Sequence, residues 1–298
     1  MTDPVMKQSL ALLGLLLLCR GVAAADSGMI ERRELLPTTA IESSPSAGPT
    51  SDRQPWIAII IDDMGNQNAD RQAVLLPGPV ACSFLPHTPH AVELAQLAAR
   101  RGKEVLLHQP MQSTGGNDLG PGALILEMDH PTFRATLSSN LAALPHVSGV
   151  NNHMGSLLTS HYQPMSWLME ELHRYPAIFF VDSRTTAFTV AYNAATDHQI
   201  PSTWRDIFLD NEADEEQIST QFKRLIQLAK RNGSAIAIGH PYPETLAFLQ
   251  THLPDLEQLG ISLRPVSDVI SLRKSVLRTA WYQASPLSAL NGKQKQIQ

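Results

Sequence analysis

Side chains that bind metals or carry protons follow several apolar runs of this 298-residue chain. Asp62 and Asp63 follow one such run, and His108, His153 and His240 follow three others. One carboxylate and two imidazoles suit a divalent first-row metal such as zinc, with one position left for water. Water on such a metal becomes a nucleophile near neutral pH when a second carboxylate accepts its proton. These residue types therefore indicate a hydrolytic metal centre, in which a further imidazole protonates the leaving group.

Each of these residues alone has a simpler explanation. An aspartate at a strand end is usually a helix cap or a turn residue, and a single histidine usually packs with a hydrogen bond. Capping explains Asp62, or Asp182 after another apolar run, but it does not explain histidines after three separate runs. We therefore favour one site shared by several strand ends over independent structural roles.

The apolar runs alternate with amphipathic helical patterns, as in βα units around a parallel sheet. Because barrels of this kind assemble their chemistry at the C-terminal ends of the strands, the polar residues are expected to meet at one rim. Seven or eight units in about 230 residues predict an α/β fold, a single (β/α) barrel that is closed or incomplete. A doubly wound open sheet is the alternative, although no glycine-rich nucleotide loop follows the first strand. The predicted strands cover residues 56–61, 80–85, 104–107, 147–151, 177–181, 207–209, 235–238 and 262–266, and the clearest helices cover 91–101, 133–144 and 212–231.

An apolar segment, residues 9–19, lies near the start of the chain and is shorter than the roughly 20 residues of a membrane-spanning helix. It suits the apolar region of a secretory signal, with the small residues 23–25 as the cleavage site. We expect a signal peptide over residues 1–25, a periplasmic location and no stable membrane span after cleavage. An uncleaved anchor, lipidation of Cys19 and translation from Met6 are the alternatives.

Composition divides the rest of the chain into a linker, a domain and a tail. Residues 26–54 are rich in Ser, Thr, Pro and Ala without a hydrophobic period, which predicts a disordered, flexible linker. We expect residues 55–286 to carry the barrel and residues 287–298, which are mostly polar from Asn291 onward, to form a frayed tail. A net charge of −5 lacks the basic excess that nucleic-acid binding requires, so no nucleic-acid partner is expected. No Gly-x-Ser-x-Gly segment supports serine hydrolysis.

Five segments in chain order resemble the divergent polysaccharide deacetylases, an exported bacterial branch of the NodB-like carbohydrate esterases. The resemblance covers most of residues 56–269. Each segment alone is a weak motif, but five in order identify the chain as a member of this family. They are residues 59–65 (IIIDDMG), 107–111 (LHQPM), 149–156 (GVNNHMGS), 180–186 (FVDSRTT) and 238–241 (IGHP).

The resemblance implies a seven-stranded NodB-like barrel, a divalent metal, with zinc expected, and roles for particular residues. Asp62 is the expected general base, Asp63 a metal ligand and His240 the general acid. The family pairs two metal-binding histidines four residues apart, but here the residues four beyond His108 and His153 are glutamine and leucine. We therefore expect His108 and His153 to give one imidazole each to the metal.

The resemblance also points to the substrate side of the site. The residues expected to bind substrate lie in two of the five segments: Asn152, Asp182, Ser183 and Arg184. The Arg-x-Pro-Tyr motif of active deacetylases has no clear match in the chain.

Two functions remain open at this point. The first is an exported, metal-dependent carbohydrate hydrolase, a deacetylase of a carbohydrate polymer of the cell envelope. The second is a catalytically inactive barrel that binds an envelope glycan or protein, which the missing histidine pair favours.

Overall fold

The computed structural model describes residues 54–284, with side chains described as far as Thr279. The expected signal peptide, nearly all of the expected linker and the expected C-terminal tail lie outside the described residues. Within the described part, no helix is both long and apolar enough to cross a membrane.

The described residues form nine β-strands interleaved with eight α-helices. The strands are β1 (Trp56–Met64), β2 (Ala81–Phe84), β3 (Val105–Met111), β4 (Val147–Met154), β5 (Phe179–Asp182), β6 (Ser202–Trp204), β7 (Ile207–Phe208), β8 (Ser234–Gly239) and β9 (Ser262–Leu263). The helices are α1 (Arg71–Leu75), α2 (Ala91–Arg100), α3 (His130–Ala142), α4 (Tyr162–Leu172), α5 (Ala191–Asp197), α6 (Glu215–Asn232), α7 (Pro243–His252) and α8 (Val266–Ala284). Short 3-10 turns cover Asn68–Asp70, Leu158–Ser160 and Leu253–Asp255.

Local sequence sets where the longest helices begin and end. Asp214 caps α6 by accepting a hydrogen bond from the backbone N–H of Gln217 at 3.0 Å, and Asp129 caps α3 through Thr132 at 2.9 Å. Glu215 and Glu216 lie in the first turn of α6, and Lys230 and Arg231 lie in its last turn, which complements the helix dipole. Gly233 ends α6 with a φ of 80°, a left-handed conformation that favours glycine.

All strand pairs are parallel, and the main strand order is β6-β5-β4-β3-β2-β1-β8-β7, with β9 beside the start of β1. This nearly sequential order is that of a barrel and excludes a doubly wound sheet. The two edge strands, β6 and β7, are separated only by Arg205 and Asp206. The backbone N–H of Arg205 bonds Asp182 of β5 at 3.0 Å, whereas that of Asp206 bonds Ile236 of β8 at 2.9 Å. The predicted (β/α) barrel is therefore confirmed, and a bent chain segment closes it where the two edge strands do not pair.

The expected count of seven strands was too low, since the described residues form nine. β6 was not predicted because it is three residues long and reads Ser-Thr-Trp, without an apolar run. Several strands also extend beyond their predicted ends. The ladder between β3 and β4 continues through the pairs His108↔Asn151 and Met111↔Met154, so the polar residues lie within the strands.

Alternate residues of each strand face the outer helices or the inside of the barrel. Ile57, Ile59 and Ile61 pack with the helices, whereas Ala58 and Ile60 belong to a separate inner cluster that includes residues of α8. The inner cluster lies at the N-terminal ends of the strands, because α8 begins beside β3: Val266 and Ser267 donate backbone hydrogen bonds to Glu104 at 2.7 and 3.1 Å. The polar inner residues are consequently left to the opposite rim.

Arg273 of α8 spans the gap in the barrel wall. Its guanidinium donates hydrogen bonds to Thr203 of β6 at 2.8 Å and to Ser234 of β8 at 3.2 Å, and it forms an ion pair with Asp206. Asp206 also accepts the backbone N–H of Ile236 at 2.8 Å. These side-chain contacts join the two edges that lack a backbone ladder.

We expect Arg273→Met to lower the free energy of unfolding by about 2–4 kcal/mol, because the partly buried Asp206 would lose its charged partner. Urea titration followed by circular dichroism measures this change. Lys274→Met, an exposed substitution on the same helix, is the matched control and should change stability by less than about 0.5 kcal/mol. Equal stability of the two variants would contradict a closing role for Arg273.

Candidate metal centre and acid–base groups

The structure brings Asp63, His108 and His153 together from three different strands. Asp63 Oδ1 lies 3.0 Å from His108 Nε2 and 2.8 Å from His153 Nδ1, and the two imidazole nitrogens are 3.2 Å apart. These are the three residues that the sequence predicted as metal ligands. Within the described residues they form the one group whose ligand atoms all lie within 4.8 Å of one another.

The donor set fits a small divalent cation. Asp63 Oδ1 is buried and has no hydrogen-bond partner, although two imidazole nitrogens lie close to it. A buried carboxylate oxygen without a donor is costly, and a cation shared with the two nitrogens would satisfy it. One oxygen and two nitrogens are three ligands of a tetrahedral zinc site that keeps one position open.

A β-bulge aims Asp63 into the site. On an ideal strand, Asp62 and Asp63 would point to opposite faces, but the pairing of β1 with β2 shifts between Ile61 and Met64. Asp63 has a φ of 57°, in the left-handed region that non-glycine residues adopt at a cost of about 1–2 kcal/mol. The extra residue lets both carboxylates reach the centre, as bulges beside active sites commonly do.

Charge is strongly coupled within this group. Burial opposes ionisation of Asp63, but the adjacent His108 and His153 hold the pKa of its carboxyl well below its usual range. Burial lowers the pKa of His108, yet the nearby carboxylates Asp62 and Asp63 raise it to about 9. At neutral pH, and in the absence of a metal, the buried carboxylate is therefore balanced by a proton on His108.

Asp62, the predicted base, lies beside the metal ligands and is 2% exposed. Asn151 Nδ2 donates to both of its oxygens, at 2.8 and 3.0 Å. Burial raises the pKa of Asp62 above its ordinary value, while the positive charges of His108 and His240 act in the opposite direction. A raised pKa makes this carboxylate a better proton acceptor than an exposed aspartate.

His240, the predicted acid, approaches the same centre from β8. Its Nε2 atom lies 3.7 Å from Asp63 Oδ2, and its Nδ1 atom lies 2.9 Å from Asp210 Oδ1. Asp210 Oδ2 accepts hydrogen bonds from the His240 backbone at 2.6 Å and from Thr245 at 2.7 Å. Burial lowers the pKa of His240, but the hydrogen bond and charge of Asp210 outweigh burial and raise it.

Three residues of this site were missed by the sequence analysis. Asp210 follows the predicted strand 207–209, so the rule used for the other strand ends would have found it. Asn151 ends the predicted strand 147–151, where an amide side chain alone gives no signal of a role in the site. Arg205 lies in the short segment between β6 and β7 and donates to the backbone oxygens of Ser183 and Arg184, at 2.6 and 2.9 Å.

The four residues predicted to bind substrate lie at the rim beside β5, and two of them are used within the protein. Asn152 accepts from the backbone of Ser183 at 2.8 Å and donates to Met154 at 2.7 Å. Asp182 accepts from the backbone of Arg184 at 2.9 Å and from Thr189 at 2.9 Å. Arg184 is exposed, and its guanidinium stacks on Trp204 at 4.7 Å. Substrate binding by these residues stays a prediction.

A family model described as divergent polysaccharide deacetylase matches residues 59–270, which include every residue of this centre. The chain belongs to the divergent polysaccharide deacetylase family. The resemblance found in the sequence is thereby confirmed.

Two relatives of this family member are described as uncharacterized proteins. YibQ of Escherichia coli is 40% identical over 195 residues, which make up 65% of this chain and 61% of YibQ. A Haemophilus influenzae protein is 35% identical over 206 residues, 69% of this chain and 73% of that protein. The chain thus matches less than two thirds of the length of YibQ.

A solved structure supports the fold. The crystal structure of the uncharacterized protein ATU2773 from Agrobacterium tumefaciens is 24% identical, with a TM-score of 0.70. The match covers 74% of this chain and 92% of that one. The incomplete barrel is therefore shared with a solved structure.

We expect zinc affinity to rise with pH between about 6.5 and 9, because a cation and a proton compete for His108 Nε2. Since the pKa of His108 is raised to about 9, one proton must leave below that pH, and affinity should change by about tenfold per pH unit. Isothermal titration calorimetry in buffers of different ionisation enthalpy measures both the affinity and the released proton. A zinc affinity that does not change over this range would contradict His108 as a ligand.

Proposed function

We propose that this protein is an exported, zinc-dependent carbohydrate deacetylase that removes an acetyl group from a polysaccharide of the cell envelope. One observation carries the proposal: three ligand atoms converge at a rim where a buried carboxylate lies on one side and an aspartate-held imidazole on the other. This arrangement contains a base, an acid and a metal-binding triad at one rim of the barrel. Membership of the divergent polysaccharide deacetylase family supports the substrate class.

The predicted ligands and Asp62 have separate parts in the first half of the reaction. Asp63, His108 and His153 would hold the zinc ion, which would supply Lewis-acid chemistry when bound. Asp62 is free to accept a proton from the attacking water, since its hydrogen bonds come from Asn151 and not from a cationic side chain. Burial keeps Asp62 away from bulk water and raises its basicity.

His240 completes the reaction by protonating the leaving amine or alkoxide. Asp210 accepts a hydrogen bond from Nδ1–H of His240, so Nε2 is the nitrogen that faces the centre and delivers a proton. Two further hydrogen bonds hold the Asp210 carboxylate, from the His240 backbone and Thr245, which fixes the direction of the imidazole. The acid is thus oriented before substrate arrives.

Export and a periplasmic location are part of the proposal. The apolar residues 9–19 and the small residues 23–25 support a cleaved signal, with Asp26 as the first mature residue. The intact mass of protein from the periplasmic fraction tests this, and retention of residues 6–25 would refute cleavage.

We expect Asp62→Asn and His240→Gln each to lower kcat for acetate release by roughly 10²- to 10⁴-fold, the usual size of a general acid–base contribution. Zinc content and melting temperature should stay close to wild type, because neither residue is a ligand. Acetate release from acetylated xylan, chitin oligomers and acetylated peptidoglycan provides the measurement. His173→Gln, at an exposed histidine outside the site, is the matched control.

The inactive binding module predicts a different outcome of the same assay. Wild-type protein with stoichiometric zinc that binds a glycan and releases no acetate from any of the three polymers would replace the deacetylase by that module. A His240→Gln protein with wild-type turnover would remove His240 from the mechanism.

We expect Asp210→Asn to move the alkaline limb of the pH–rate profile to lower pH. The acid must be protonated, so activity is lost as the pH rises through the pKa of His240. Asp210 raises that pKa, and removal of its charge should bring the loss of activity to a lower pH. The pH dependence of kcat/KM shows the shift as an apparent value of the coupled site. An unchanged alkaline limb would contradict the role of Asp210.

A further inference from the structure

Asn151 is the most completely hydrogen-bonded side chain of the centre. It is fully buried in β4, where it pairs in register with His108 of β3. Its Nδ2 atom donates to both oxygens of Asp62, at 2.8 and 3.0 Å. Its Oδ1 atom accepts from Ser83 Oγ at 2.6 Å and lies 2.9 Å from His108 Nδ1. One amide therefore touches both the base and a metal ligand.

The chemistry of the partners allows only one orientation of this amide. An ionised carboxylate only accepts hydrogen bonds, so the NH₂ group must face Asp62. The amide oxygen then faces His108, whose Nδ1 must carry a proton to donate to it. In the neutral ring the lone pair is consequently on Nε2, the nitrogen that lies 3.0 Å from Asp63 Oδ1.

Asn151 also separates the base from the ligand. Asp62 Oδ2 lies 3.7 Å from His108 Nδ1, beyond hydrogen-bonding distance, and the amide bridges them with its Nδ2 on Asp62 and its Oδ1 on His108. Metal-bound histidines commonly donate their second N–H to a carboxylate or a carbonyl. Here an amide oxygen accepts that hydrogen bond, and the nearest carboxylate stays available as a base.

We infer that Asn151 is a positioning residue: its amide sets His108 to bind the metal through Nε2 and keeps Asp62 as a free base. This inference rests on the metal-dependent function proposed above. A neutral side chain thereby keeps Asp62 from pairing directly with His108, so that one serves as the base and the other as a metal ligand.

Two substitutions separate the two ends of the amide. Asn151→Asp keeps an acceptor for His108 but removes the donor to Asp62, so zinc affinity should stay within about threefold while kcat falls at least about 10²-fold. Asn151→Leu removes the acceptor as well, and zinc affinity should then fall about 10- to 100-fold. The matched control is Asn140→Leu, because Asn140 is equally buried and hydrogen-bonded to Gln109 and Gly122, away from the ligands. Its zinc affinity should match wild type.

The experiment combines zinc titration of the metal-free proteins with ¹⁵N NMR of the histidine rings in zinc-loaded protein. We expect the spectrum of the wild type to show His108 protonated at Nδ1 and metal-bound at Nε2. This measurement needs no variant, so the inference stays testable even if Asn151→Leu does not fold. Zinc on Nδ1 of His108, or wild-type zinc affinity in a folded Asn151→Leu protein, would overturn the inference and leave the proposed function standing. A wild-type chain that binds no zinc would overturn both.

Discussion

The centre depends on one buried oxygen, Asp63 Oδ1, which lies within 3.0 Å of two imidazole nitrogens and receives no hydrogen bond. A buried carboxylate oxygen is costly without a compensating positive charge beside it. Without metal, that charge is a proton on His108, whose pKa the carboxylates of Asp62 and Asp63 raise to about 9. A divalent cation can replace this proton on the same atoms. The bulge of β1 and the left-handed backbone of Asp63 direct its carboxylate to this contact.

Strand order decides what lies on each side of that oxygen. β1 carries both carboxylates and lies between β2 and β8 in the sheet. The two imidazole ligands come from β3 and β4, beyond β2, whereas His240 comes from β8 on the other side. In strand order the two histidine ligands therefore lie on one side of the carboxylates and the proton donor lies on the other. The Asp210 that holds His240 is placed by β7, the short strand at the point where the barrel wall is closed by the chain.

The predictable part of this molecule follows from patterns that repeat. Apolar runs ending in Asp62, His108 and His240 were visible because each run is long enough to register as a strand. The bulge could not be predicted, because an aspartate in a sequence does not by itself indicate a positive φ. β6 was missed because a strand of three residues carries too little hydrophobic pattern. Asp210 could have been predicted, since it directly follows the predicted strand 207–209. Asn151 acts only through its contacts across three strands, which no local pattern encodes.

The altered ligand spacing has a structural cause in the β3–β4 ladder. Gln112 holds the place four residues beyond His108, but its side chain accepts the backbone N–H of Leu126 at 2.8 Å and so fixes a loop. The second imidazole instead comes from His153, paired with Pro110 in the neighbouring strand. Proline is tolerated there because β2 ends at Phe84. Beyond that point Leu124 bridges this part of β3, and it uses the carbonyl of Pro110 and the N–H of Gln112, so no donor is needed from Pro110. Ligand separation is then set by the spacing of paired strands, which is more rigid than that of a loop. The family's histidine pair can thus be absent from the sequence while two imidazole nitrogens, from His108 and His153, still lie 3.2 Å apart.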